Sequence, residues 1–331
     1  MDLDAYVTEH GAEWNRLDRL SRRHRLSAAE VDEMIVLYQR AGTHLSAIRS
    51  RAPEPALIAR LSRIVLTARA SLTAGPSFSW RAVARFFTVT FPLAVFQAWR
   101  WWCAVATVFT VSTFALMWWV ASDPAVQLRF LSQDEIDGLV GGGFADYYSE
   151  NQPQNFALAV WTHNALLTAA VLASGVLVVP VFYLLYENAL NVGVVGGVMI
   201  GNGRSAEFFG LIMPHGMLEL TVVYIGAGLG LRIAWAWIAP GPLLTRGRSL
   251  ARAARSAMLG ALGLALALGV SGLLEAFVTP SALPPGPRVA IGLLVWAAFL
   301  GYVLVAGGLA AQRAESADLS ELDSEALVPV A

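Results

Sequence analysis

Between Arg288 and Arg313 the chain runs without a single charge. Similar uncharged, mostly apolar runs separate Arg100 from Asp123 and Arg255 from Glu275. About 20 such residues in a helix, rising about 1.5 Å each, cross a hydrocarbon layer of about 30 Å. In that layer each backbone N–H and C=O must find its partner inside the segment, and a helix provides this. Charged residues make up 14% of the chain and hydrophobic ones 56%. A soluble protein carries roughly a quarter charged residues. The pattern therefore predicts an all-α polytopic membrane bundle of about six transmembrane helices, preceded by a small cytosolic helical region.

Residues 1–77 read as that cytosolic region. Its basic residues are all arginine, and Ser27-Ala28-Ala29-Glu30 is a capping box that opens a helix. A bundle this small is expected to lean on the membrane portion or on a partner. Residues 78–100 pair Arg81 and Arg85 with an aromatic run interrupted by Pro92. This predicts an amphipathic helix lying in the interface. The membrane domain is then 101–311, with spans at 101–121, two within 156–200 split near Ser174-Gly175, 207–240, 256–278 and 288–311. The fourth is expected to break near Pro214 and Gly216. Residues 312–331 read as an acidic disordered tail.

Arginine placement sets the orientation. The N-terminal region and the connection carrying Arg246, Arg248, Arg252 and Arg255 are arginine-rich, so both are expected in the cytoplasm. The acidic segment 122–155 is then external, and both termini of this multi-pass cell-membrane protein are cytoplasmic. Gly141-Gly142-Gly143 lacks the lysine and strand of a phosphate loop and reads as a flexible turn. No secretory leader or lipidation signal is read in the first residues. Cys103 stands alone, so no internal disulfide is available.

Ionisable groups at membrane depth are costly and usually face a protein-lined interior. His215 and Glu219 are spaced i, i+4 in Pro214-His215-Gly216-Met217-Leu218-Glu219-Leu220, which places them on one helix face. His163, Asn164, Glu187, Asn188, Asn191, Arg232 and Glu275 also fall within apolar runs. Topology alone lets these nine converge in one outward-leaning polar pocket. Three chemistries suit such a set: hydrogen-bonded contacts between helices, a pocket for a lipid, ion or partner helix, and a metal site drawn from His163, His215, Glu187, Glu219 and Glu275. The metal reading lacks an HExxH motif. Nucleophile elbow, P-loop, GxGxxG and CxxC contexts are absent too, so no catalytic residue, cofactor or resident metal is assigned. The glycines from Gly193 to Gly203 fit close helix packing better than nucleotide binding.

Several segments together resemble the stage II sporulation protein M family. They are Thr162-His163-Asn164, Glu187-Asn188-Ala189-Leu190-Asn191-Val192-Gly193, the 214–220 motif, Gly226-Ala227-Gly228-Leu229-Gly230-Leu231-Arg232 and Leu274-Glu275-Ala276-Phe277-Val278-Thr279-Pro280. The N-terminal helices resemble those of longer, actinobacterial-type members. The resemblance implies a non-catalytic scaffold for cell-envelope, peptidoglycan-related machinery, as the founding member scaffolds peptidoglycan hydrolases during engulfment. The partners implied are membrane lipids and envelope membrane proteins, without nucleic acid; a homo-oligomer stays open. The alternatives are a carrier or lipid-handling protein using the pocket, and an intramembrane metal-dependent hydrolase.

Overall fold

The structure, a computed structural model, describes residues 2–23, 26–73, 80–148, 152–242 and 244–317. The chain divides into two compact units, Met1–Ser79 and Trp80–Ala331.

Among the described residues the first unit has three helices, α1 (Leu3–Ser21), α2 (Ala28–Arg51) and α3 (Pro55–Thr73). Their apolar residues recur every three or four positions, so each helix has one dry stripe. Trp14, Leu17, Leu20, Met34, Ala41, Ile48, Leu61, Ile64 and Ala68 close a core on those stripes. Ser27 and Glu30 form the capping box expected from the sequence. Arg16 grips Glu33 with two hydrogen bonds, 2.9 and 2.7 Å long, between α1 and α2.

Among the described residues the second unit holds six helices long and apolar enough to cross a membrane. It begins with α4 (Trp80–Arg85), a π-helical turn at Phe86–Thr90 and α5 (Phe91–Gln97). The single amphipathic helix expected over 78–100 is corrected: its described part is two short helices joined by a π turn, and Trp99 and Arg100 already belong to the next helix. Trp80 is exposed, whereas Phe91, Leu93, Ala94 and Val95 are buried. Phe91 and Val95 join a core with Val222, Leu264 and Val303.

The membrane helices are α6 (Trp99–Ser122), then, after a folded connection, α10 (Pro153–Ser174), α11 (Val179–Gly201), α12 (Ser205–Ile238), α13 (Arg246–Leu273) and α14 (Pro285–Gln312). The connection carries α7 (Pro124–Gln127), α8 (Gln133–Gly138), a π turn at Leu139–Gly143 and α9 (Phe144–Asp146). The expected turn at the three glycines is present, and Gly142 has φ +131°, a backbone that side chains disfavour.

Helix α12 is the hub. In its apolar stretch 67% is buried, against 11% for α14, whose large residues face outward as a lipid-facing helix should. Helices α6 and α11 approach closely because α11 presents glycine. A Cβ on Gly197 would stand 2.6 Å from the Val120 Cβ. This close approach is what the glycine-rich sequence predicts.

Three further sequence expectations are corrected. Helix α12 does not break at Pro214; it runs unbroken for 34 residues. Proline removes one donor and frees one carbonyl, and membrane helices tolerate that when neighbours pack around the site. The arginines at 246–255 lie not in a loop but on the first turns of α13. Their long stems let the charged heads reach the interface while the helix continues. The tail expected from 312 starts ordered: Ala317 is buried with Leu93, Ala94 and Ala310. The rest of it lies outside the described residues.

Candidate functional site

Three helices bring the ionisable residues together near the end of the bundle that carries the 123–148 connection. Helix α10 supplies His163 and Asn164, α12 supplies His215 and Glu219, and a π turn at Leu274–Val278 continues α13 and supplies Glu275. The i, i+4 spacing sets His215 and Glu219 on one face, as the sequence indicates.

His215 is 5% exposed, and so is Glu275. The histidine Nδ1 lies 3.1 Å from the Thr279 hydroxyl oxygen. Thr279 is itself fully buried, and its hydroxyl also donates to the Leu274 carbonyl at 3.3 Å. Thr279 Oγ1 therefore accepts from Nδ1–H, an assignment that rests on this hydrogen-bond pattern. The opposite nitrogen, Nε2, is turned to Glu275 Oε1 at 3.9 Å, beyond hydrogen-bond length. Ser271 donates to the His215 carbonyl at 3.1 Å, tying α13 to α12. The Arg288 guanidinium donates to the Thr279 carbonyl and anchors the segment after the π turn.

Beside this core lies a chamber of about 420 Å³ lined by Tyr147, Phe156, His163, Asn164, Glu219 and Glu275. Asn164 and the Glu219 carboxyl share its lining. His215, Glu219 and Glu275 each offer a ligand atom, and all three atoms lie within 4.8 Å of one another. The connection closes over one side. Tyr148 is buried with its ring 5.8 Å from the His215 ring. Burial first, then the Glu275 carboxylate, pushes both the Tyr147 and Tyr148 phenols above the ordinary tyrosine range. Both phenols therefore keep their protons at neutral pH, and Tyr147 lines the chamber.

Five of the nine sequence candidates thus meet: His163, Asn164, His215, Glu219 and Glu275. The other four stand apart. Glu187 and Asn191 are exposed on α11, and Asn188 donates to the Leu184 carbonyl of its own helix at 3.1 Å. Arg232 lies about 20 Å along α12 from Glu219 at helical rise. It donates to Gln97 at 3.0 Å and lines a separate cavity with Arg252 and Glu315. Sequence reasoning gave no role to Thr279, Ser271, Tyr148 or Arg288. Thr279 was in view only as part of the 274–280 segment that carries the family resemblance.

A second histidine–carboxylate group, His10, Glu13 and His44, occurs in the first unit. Two of its ligand atoms are already engaged. Trp14 donates to His44 Nδ1 at 3.1 Å, Arg40 binds Glu13 at 2.8 Å, and the two imidazoles stack at 4.1 Å.

Residues 105–280 match the stage II sporulation protein M family, and residues 4–74 match a domain of unknown function. No curated protein and no solved structure matches the chain.

Proposed function

Because the chain belongs to the stage II sporulation protein M family, we propose that it is a multi-pass membrane scaffold for cell-envelope, peptidoglycan-related machinery. The observation that supports this reading is the folded 123–148 connection. A mere linker would bury little, yet Val126 and Ile136 pack with Val120, Val194 and Val198 of the bundle. Phe144 and Tyr148 pack with Met199 and Phe208. A Ser132–Glu135 capping box fixes α8. Asp123, Asp134, Glu135 and Asp137 are left exposed on this ledge. A rigid acidic ledge is a surface that a basic partner can dock on without ordering cost.

In this reading the ledge is extracytoplasmic and both termini are cytoplasmic, because the arginines of the N-terminal region and of 246–255 mark the inner side. In the same reading the exposed Arg81 meets anionic headgroups, while Arg85 pairs within the chain with Glu315 at 3.7 Å. Affinity purification from native membranes, with mass spectrometry, tests the proposal. Wild-type protein is expected to bring down peptidoglycan-related membrane proteins. The Asp134→Arg/Asp137→Arg variant should lose them several-fold while remaining folded, since like charges across a contact repel. Equal recovery by both, or recovery of lipid alone, would favour the carrier reading.

A further inference from the structure

We propose that His215, Glu219 and Glu275 form a binding site for one divalent first-row transition metal of the zinc class. The inference goes beyond the scaffold reading and does not depend on it.

The first observation is the donor set. One imidazole nitrogen and two carboxylate oxygens lie within 4.8 Å of one another, on two adjacent helices. Zinc bonds of about 2.0–2.2 Å place tetrahedral ligands about 3.3–3.5 Å apart. The His215–Glu275 separation of 3.9 Å closes to that by small side-chain rotations. The second observation is independent of proximity. Thr279 takes the Nδ1 proton of a 5% exposed histidine, so the Nε2 lone pair points at Glu275. A lone pair facing a carboxylate is repulsive unless a proton or a metal cation is shared between them, and with a second carboxylate, Glu219, within 4.8 Å the three groups can share a divalent ion. A hydroxyl that fixes the tautomer from behind is the arrangement metal-ligating histidines use.

The third observation is the space beside the ligands. Glu219 and Glu275 also line the chamber, together with Asn164 and His163. A metal held by three protein ligands keeps a fourth position, and here it would face that chamber. The imidazole selects against Mg²⁺, which prefers oxygen alone. The His10, Glu13 and His44 group is a weaker rival, because Trp14 already uses His44 Nδ1 and Arg40 already pairs with Glu13.

The test uses the full chain in detergent, purified on a tag without histidine and stripped with a chelator. Zn²⁺ is the probe, titrated and then counted by elemental analysis. One equivalent per chain is expected, unaffected by excess Mg²⁺. Glu275→Gln and His215→Gln should each weaken binding by about 10–100-fold or more, the scale of losing a metal-site interaction. His10→Gln should leave it unchanged. X-ray absorption of the wild-type complex needs no variant and should show one imidazole with oxygen donors. No bound zinc, binding unchanged in both site variants, or a spectrum with two imidazoles would overturn the assignment.

Discussion

Replacing Gly292 by alanine is expected to abolish or sharply reduce folded protein, whereas Gly301→Ala on the same helix leaves it intact. A Cβ on Gly292 would fall inside the Pro214 backbone of α12. The obstacle is main chain, so no side-chain rotation relieves it. Overpacking costs about 1–3 kcal/mol even where side chains can shift, and more where they cannot. A Cβ on Gly301 meets nothing within 4 Å. There alanine removes the helix penalty of glycine, about 1 kcal/mol, and should be neutral or stabilising. Detergent-resistant yield and thermal unfolding of the two variants check this. Equal behaviour would mean that α14 does not press on α12 at Pro214.

Thr279→Val should be nearly as damaging, and Thr279→Ser close to wild type. The valine keeps the shape but removes one hydroxyl that serves both His215 Nδ1 and the Leu274 carbonyl. Each buried group left unsatisfied costs about 1–3 kcal/mol. Serine restores both hydrogen bonds and loses only a methyl group. Thermal unfolding of the purified variants would show the ordering Thr279→Val below Thr279→Ser. If valine matches wild type, the histidine is held by something other than Thr279.

The architecture was legible because span length and composition are local properties. Runs such as 289–312 carry no charge, and helix is the solution a single segment has in lipid. The candidate site was legible only in part. His215 and Glu219 share a face by arithmetic, and Glu275 was identified by its intramembrane charge. Arg232 shows the limit of that reasoning. It sits in the same apolar run as Glu219, but about 20 Å further along the helix. Glu187 and Asn191 fail for another reason: their charge or polarity is visible in sequence, but the face that α11 turns outward is not.

Thr279 illustrates a third limit. Its N–H bonds the Leu274 carbonyl five residues back, at 2.9 Å, which is the π-turn pattern. That turn inserts an extra residue and rotates the helix face, so a 3.6-residue period misplaces the residues C-terminal to it. The Pro214 expectation failed because proline usually ends helices in water. In this bundle α14 packs on that turn through Gly292, and the helix continues.

His163, Asn164, Glu219 and Glu275 share one chamber with Tyr147 of the connection, and the scaffold reading expects that chamber to be reached from the ledge side of the membrane. The most direct test of this is thiol labelling of His163→Cys in a Cys103→Ala background, with an impermeant reagent on intact cells. Asp134→Cys on the ledge serves as the reference. Both cysteines are expected to label without permeabilisation. Labelling of His163→Cys only after permeabilisation, or not at all while Asp134→Cys reacts, would contradict the account.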